Sequence, residues 1–171
     1  MLPRLFQLKL LLKESTPTPT IRRREKTNLK KEKEDLILRG IWLHIRKVYF
    51  PDRADLDSYE IRWSPRRQRR VLASCCISKQ RVVVARELNR AEHARWLPAL
   101  IYHEMCHAFF GDRVEKNANR RLWHGPEFRA LEQRHPEIKD LDHWIRSGGW
   151  HKAVLSDRER RRCQPFTSTR S

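Results

Sequence analysis

Apolar residues between positions 35 and 51 recur with the period of an α-helix. Members of this stripe lie three or four residues apart, at Leu38, Ile41, Trp42, Ile45, Val48 and Tyr49. Since 3.6 residues make one helical turn, these side chains share one face and can pack on a core. Pro51 predicts the end of the helix, because the residue before a proline avoids the helical conformation. The pattern predicts a core helix at the start of the folded region.

The residues that follow have the character of short β-strands. Apolar and polar side chains alternate over residues 59–63, and residues 71–77 and 81–86 are β-prone runs. A turn with four arginines, residues 64–70, separates the first two stretches. The pattern predicts a small sheet of three strands.

Helical signals return after the third strand. A helix is predicted over 97–110, with Pro98 in its first turn and Gly111 as its stop. A shorter helix is expected over 126–135, and residues 139–155 supply a closing segment of the core. This succession of a helix, three strands and further helices predicts an α+β domain.

The ends of the chain lack these patterns. Residues 1–34 are dense in mixed charge and predict a disordered basic arm. The domain is expected over residues 35–155, followed by a basic disordered tail over 156–171. The longest apolar run is too short to cross a bilayer, so no membrane contact is expected.

The charge balance points to a polyanionic partner. Lysine and arginine number 38 against 21 acidic residues, which gives a formal net charge of +17. Such an excess predicts contact with DNA or another nucleic acid through the basic segments, although it can also serve solubility alone. Candidate contacts are the arm, the turn over 64–70 and the arginines of 158–162.

The four cysteines exclude two classes of protein. They are too few for a disulfide-dense secreted scaffold, and no CxxC pair is present to build a four-cysteine zinc ribbon. Thiols suit a reducing compartment, so we expect a cytoplasmic protein. We also expect the protein to be a monomer.

His103-Glu104-Met105-Cys106-His107 form an HExxH motif inside the helix predicted over 97–110. Histidines four residues apart share one helical face, so both imidazoles can reach one metal ion. Glu104 can then sit beside a metal-bound water as its base. The alternative is an ordinary helix with two surface histidines. The apolar surroundings disfavour it, because buried ionisable groups need partners.

A catalytic zinc ion needs a third protein ligand and an open position for water. His124 and Glu127 both lie near the start of the next predicted helix. Either can approach the metal from there, and the spacing alone leaves both open. His135, His143 and His151 are further candidates for stabilising an oxyanion, and nothing in the sequence selects one.

The order of a helix, strands, an HExxH helix and then an HGxxF motif resembles the SprT-like metallopeptidases. The matching residues are Tyr102–His107 and His124–Phe128, within a similar layout over residues 36–135. The resemblance implies a small zincin-like domain of the minimal gluzincin type. It also implies that His124 is the third ligand.

The same resemblance implies a sheet edge above the metal, where an extended substrate can pair as an added strand. Residues 81–86 are the natural candidate for this edge because they directly precede the motif helix, and an interior strand is the alternative. Many members carry a zinc ribbon after the core, and none is expected here. Any contact with DNA must therefore come from the basic segments.

These observations predict a zinc-dependent endopeptidase acting on protein substrates on or near nucleic acid. His103, His107 and His124 would bind Zn²⁺, and Glu104 would be catalytic. Two alternatives remain open from the sequence: a basic nucleic-acid-binding module with a structural zinc, and a metal-dependent RNA hydrolase.

Overall fold

The computed structural model describes residues 36–111, 116–117, 120–121 and 124–163. The elements follow in the order α1 (36–49), β1 (Glu60–Trp63), β2 (Ala73–Cys76), β3 (Arg81–Val84), α2 (Leu97–Phe110), β4 (Lys116–Asn117), β5 (Arg120–Arg121), α3 (Pro126–Glu132), α4 (Ile138–Arg146) and α5 (Gly149–Cys163). β1, β2 and β3 form one sheet, and β4 pairs with β5. The described residues thus have the predicted α+β class, with the three-stranded sheet.

β3 lies at the centre of the three-stranded sheet, parallel to β1 and antiparallel to β2. Val82 and Val84 on β3 are fully buried, whereas Ser74 and Cys76 on β2 are exposed. The most apolar strand takes the central place, where both backbone edges are paired and one face is covered. The expectation that residues 81–86 form the sheet edge over the site is therefore wrong, and the alternative, an interior strand, is confirmed. β1 and β2 are the two edge strands of this sheet, and β2 packs beside α2.

One hydrophobic cluster joins α1, the sheet and the later helices. Trp42 of α1 and Ile101 and Met105 of α2 are fully buried in it. The Trp42 indole nitrogen donates to the carbonyl of Leu56 at 2.9 Å, so its polar atom is satisfied. Because α2 is buried on most sides, Glu104 lies inside the domain, while His103 and His107 are half-buried.

α2 begins and ends where the sequence predicts. Pro98 occupies its first turn, and Gly111 follows it with φ of 54°, a conformation that favours glycine. The Tyr102 hydroxyl donates to the carbonyl of Leu131 at 2.7 Å and ties α2 to α3. This bond fixes the motif helix against the helix that follows the second motif.

The predicted closing segment consists of two helices, α4 and α5, joined at a tight corner. Gly148 has φ of 82°, which again favours glycine. A β-carbon at Gly149 would lie 2.2 Å from the indole nitrogen of Trp144. Trp144 is itself stacked on Trp96, with ring centroids 5.2 Å apart. The corner therefore requires a residue without a side chain at position 149.

α5 continues past residue 155, where the sequence analysis began a disordered tail. Residues 156–163 are the second half of this helix. Asp157 is buried there and lies 3.0 Å from Arg161 and 3.8 Å from Arg90 in ion pairs. These contacts anchor the helix end to the domain, so the boundary at 155 is corrected.

The predicted arm over residues 1–34 and the last part of the predicted tail, residues 164–171, lie outside the described residues. Within the described part, no helix combines the length and the apolar character needed to cross a membrane.

Candidate metal centre

Three histidine side chains converge beside α2. The Nε2 atoms of His103 and His107, one helical turn apart, are separated by 3.2 Å. His124, just before α3, places its Nε2 3.2 Å from that of His107. One potential ligand atom from each of the three lies within 4.8 Å of the others. The residues predicted as metal ligands thus form one group that can hold a metal ion.

Glu127, the alternative third ligand, is not part of this group. Its side chain is exposed in the first turn of α3. A carboxylate at a helix N-terminus is stabilised by the helix dipole, which gives Glu127 a structural role.

Two of the histidines are held in the neutral form. Burial, followed by the neighbouring His103 and His124, lowers the pKa of His107 to about 3. Burial and His103 also lower the pKa of His124. A neutral imidazole keeps the lone pair that a metal ion requires.

His103 has a carboxylate partner that the sequence analysis missed. Its Nδ1 lies 2.5 Å from Oε1 of Glu132. Burial lowers the pKa of His103, but the hydrogen bond to Glu132, helped by the nearby Glu104, raises that pKa overall. With Nδ1 donating to Glu132, Nε2 points toward the other two histidines. The hydrogen bond also fixes the orientation of the ring. The helical period offered one signal for Glu132 in the sequence. Glu132 lies four residues after the buried Phe128, so the two side chains share the face of α3 that is turned toward the core.

Glu104 lies at the wall of a cavity that the three histidines also line. The cavity has a volume of about 330 Å³, and residues 73–75 of β2 form another part of its wall. Glu104 is only 4% exposed, and burial raises its pKa to about 7, although the neighbouring His103 opposes this shift. A carboxyl group that titrates near neutral pH can both accept and donate a proton. We call this space the metal-ligand cleft.

Two cysteines lie close to the site without the charge needed to bind a metal. Cys75 lines the metal-ligand cleft, and Cys106 is fully buried in α2. Burial raises the pKa of Cys75 and of Cys106 to about 12. Both therefore stay protonated at neutral pH, whereas metals bind the thiolate.

The three histidines considered for oxyanion stabilisation lie elsewhere. His135 is buried against the rings of Tyr49 and Tyr102, with centroids 5.6 and 5.1 Å away. His143 on α4 and His151 on α5 are exposed. The structure brings none of these three into the metal-ligand cleft.

The arginine-rich turn, residues 64–70, is anchored to the domain by a buried glutamate. Its arginines are exposed at Arg66, Arg67, Arg69 and Arg70. Glu87, 1% exposed, accepts a hydrogen bond from the backbone N–H of Gln68 at 3.0 Å. The buried Ser64 hydroxyl donates to the carbonyl of Arg66 at 2.5 Å and accepts from the Gln68 side chain at 2.9 Å. These bonds fix the backbone of the turn while its arginines face solvent.

Comparisons with known proteins add one finding. A family model described as the SprT-like family matches residues 38–143, more than half of the chain. Neither curated proteins nor solved structures give a match. The matched region includes α2, all three histidines and Glu104. The chain therefore belongs to the SprT-like family.

Proposed function

We propose that this chain is a zinc-dependent endopeptidase, with His103, His107 and His124 as metal ligands and Glu104 as the catalytic base. The observation that carries the proposal is the metal-ligand cleft. Three imidazoles and a buried carboxyl group with a pKa of about 7 line one cavity there. Membership of the SprT-like family supports a metallopeptidase type of function.

The donor set fits zinc. Zn²⁺ accepts neutral imidazole ligands, and three protein ligands leave a position for water or substrate, as in catalytic sites. Among the described residues the group has three members, whereas a structural site would close with a fourth. Zinc bound there would lower the pKa of a bound water and polarise a substrate carbonyl group. The interpretation as a structural zinc in a binding module is therefore less favoured.

Two glutamates have separate roles in the proposed reaction, one in proton transfer and one in orienting a ligand. Glu104 takes a proton from the attacking water and later delivers it to the amine that leaves. Its burial supports both steps, because the raised pKa lies near neutral pH. Glu132 holds the ring of His103 in one orientation through the bond at Nδ1.

β2 supplies a place for an extended peptide. It borders the metal-ligand cleft, and among the described strands only β3 pairs with it. A peptide added along the other edge would be recognised through its backbone, which tolerates many sequences. Binding of this kind would correspond to the zincin-like arrangement that the family resemblance implies, with β2 in the role expected of residues 81–86. It favours a protein substrate over RNA.

The nucleic-acid partner is the second part of the proposal. The arginine-rich turn leads directly into β2, so phosphates bound there would lie near the metal-ligand cleft. On α5, Arg160 and Arg161 already pair with Glu92 and Asp157. The turn is therefore the better candidate surface. Contacts with phosphates predict that affinity for single-stranded DNA falls steeply with rising salt concentration.

The test is proteolysis of a DNA-binding protein such as a histone by the zinc-loaded full chain. Wild type and Glu104→Gln are compared with and without single-stranded DNA, and zinc content is measured for both. We expect cleavage by wild type only, stimulated by DNA, at equal zinc content. Cleavage without stimulation would remove the nucleic-acid part. No cleavage, together with degradation of an RNA added to the same reactions, would replace the peptidase with an RNA hydrolase.

A further inference from the structure

A second cavity, of about 260 Å³, opens beside the metal-ligand cleft. The two spaces share Ala73, His103 and Glu104, while His107 and His124 line the cleft but not this second cavity. The second cavity therefore adjoins the cleft on the side of the carboxyl group that would move the protons.

The walls of this second cavity are mainly aliphatic. They include Leu72, Leu100, Ile138, Leu141 and Ile145, and we call the space the aliphatic pocket. Leu100, Ile138 and Leu141 are buried in the core, whereas Leu72 and Ile145 are half-buried. Because these residues come from α2, α4 and the chain entering β2, the shape of the pocket is set by the packing of three elements.

The charges at the aliphatic pocket oppose one another. Arg70 comes from the arginine-rich turn and Asp142 from α4. Asp142 lies 3.7 Å from Arg146 in an ion pair, and Glu132 is bound to His103. A charged side chain entering the pocket would leave water for aliphatic walls. A basic one would find Asp142 and Glu132 already paired, and an acidic one would meet the carboxyl groups of the lining as well as Arg70. An apolar side chain gives up no hydrogen bonds to water on entering, and its transfer from water to aliphatic walls is favourable.

The volume of the aliphatic pocket and its position beside Glu104 restrict which part of a substrate can occupy it. Pockets that enclose a whole drug-sized ligand start at about 300 Å³, so this one suits a single side chain. Glu104 must reach the leaving amine, and that amine belongs to the residue after the cleaved bond. The side of the cleft that holds Glu104 is therefore the side on which that residue lies.

We infer that the aliphatic pocket binds the side chain of the residue that follows the cleaved bond and selects a bulky apolar one, such as leucine or phenylalanine. The inference rests on the proposed peptidase function and adds a substrate preference to it. Ile145 and Leu72 at the pocket would be the residues that determine specificity.

The first test uses quenched fluorescent peptides that differ only after the cleaved bond, with leucine, phenylalanine, alanine, aspartate or lysine. We expect kcat/KM for leucine or phenylalanine to exceed that for alanine by about tenfold or more, with aspartate and lysine lower still. Equal kcat/KM across the series would overturn the pocket and leave the peptidase standing. If zinc-loaded wild type cleaves no peptide better than Glu104→Gln does, the proposed function fails instead.

A wall variant tests the pocket directly. Ile145→Ala widens it, so the ratio of kcat/KM for phenylalanine over leucine should rise severalfold. The matched control is Ile41→Ala, which truncates a half-buried isoleucine on α1 outside the pocket. A ratio of two substrates does not depend on the concentration of active enzyme, so partial loss of folding does not disturb it. The same ratio in both variants would contradict the assignment of this wall.

Binding decides the question even without turnover. The probes are a succinyl hydroxamate with an isobutyl group, which imitates a leucine side chain, and the same compound without that group. Calorimetry on the zinc-loaded full chain should give about tenfold tighter binding for the first, and Ile145→Trp, which fills the pocket, should abolish that difference. Equal affinities for wild type would overturn the pocket whatever the peptides show.

Discussion

Two buried glutamates, Glu104 and Glu87, serve different ends in this domain. Both side chains are less than 5% exposed. Glu104 borders a cavity lined by three histidines, and burial raises its pKa to about 7. Glu87 accepts a hydrogen bond from the backbone of Gln68 and holds the arginine-rich turn. Burial alone thus does not mark a reactive carboxyl group. What distinguishes Glu104 is a cavity in which a second molecule can meet it.

The sharpest test of this contrast compares the same substitution at both positions. Glu104→Gln should reduce peptide turnover by about 10²–10⁴-fold, the range for a lost general base. Glu87→Gln keeps an acceptor for Gln68 and should leave turnover near the wild-type value. Steady-state kinetics at equal zinc content measure both. Comparable losses in the two variants would mean that Glu104 acts through folding rather than through chemistry.

A second comparison concerns glutamates on the same helix. Glu132→Gln removes the charge that orients His103 and should weaken zinc binding by about 10–100-fold. Glu127→Gln is the matched control, because this exposed residue lies outside the histidine group. Competition with a fluorescent chelator gives both dissociation constants. A loss confined to Glu127→Gln would restore Glu127 as the third ligand.

The structural role of Glu87 is tested by Glu87→Ala, which leaves the half-buried N–H of Gln68 without its acceptor. The expected cost is about 1–3 kcal/mol in the free energy of unfolding. Urea titration of the two Glu87 variants and wild type provides the measurement. Glu87→Gln should lose less stability than Glu87→Ala. If the two lose the same amount, the hydrogen bond is not what stabilises the turn.

The smallest effect is expected at His135, a buried ionisable group outside both regions. Burial lowers its pKa from 6.5, and its Nδ1 accepts a hydrogen bond from the backbone of Glu137, which only the unprotonated nitrogen can do. The unfolded chain therefore binds more protons, so stability present above about pH 6.5 is lost as the pH falls below it. His135→Asn should flatten the stability profile between about pH 7 and pH 5, whereas the exposed His143→Asn should not. Parallel profiles for all three proteins would contradict this.

Local signals made α2 and its histidines predictable. Pro98 and Gly111 set the ends of the helix, and the four-residue spacing placed His103 and His107 on one face. The order of the strands was not predictable in this way. β3 becomes central through pairing with both β1 and β2, and chain order does not encode that.

The other two discrepancies have similar causes. Helical period places Glu132 on the same face as Phe128, but the packing of α3 on α2 is what makes it a partner of His103. The end of α5 was missed because a run of charged residues resembles a tail. Asp157 is buried through pairs with Arg161 and the distant Arg90, and such long-range contacts leave no local pattern.

The corner at Gly149 has a consequence for the range of sequences that this fold admits. The ring of Trp144 occupies the place of any β-carbon there, so nineteen of the twenty amino acids would have to displace a stacked tryptophan. Gly40 in α1 has nothing within 4 Å of the corresponding position. In a saturation library selected for folded protein, position 149 should stay glycine, while position 40 should accept alanine and other good helix formers.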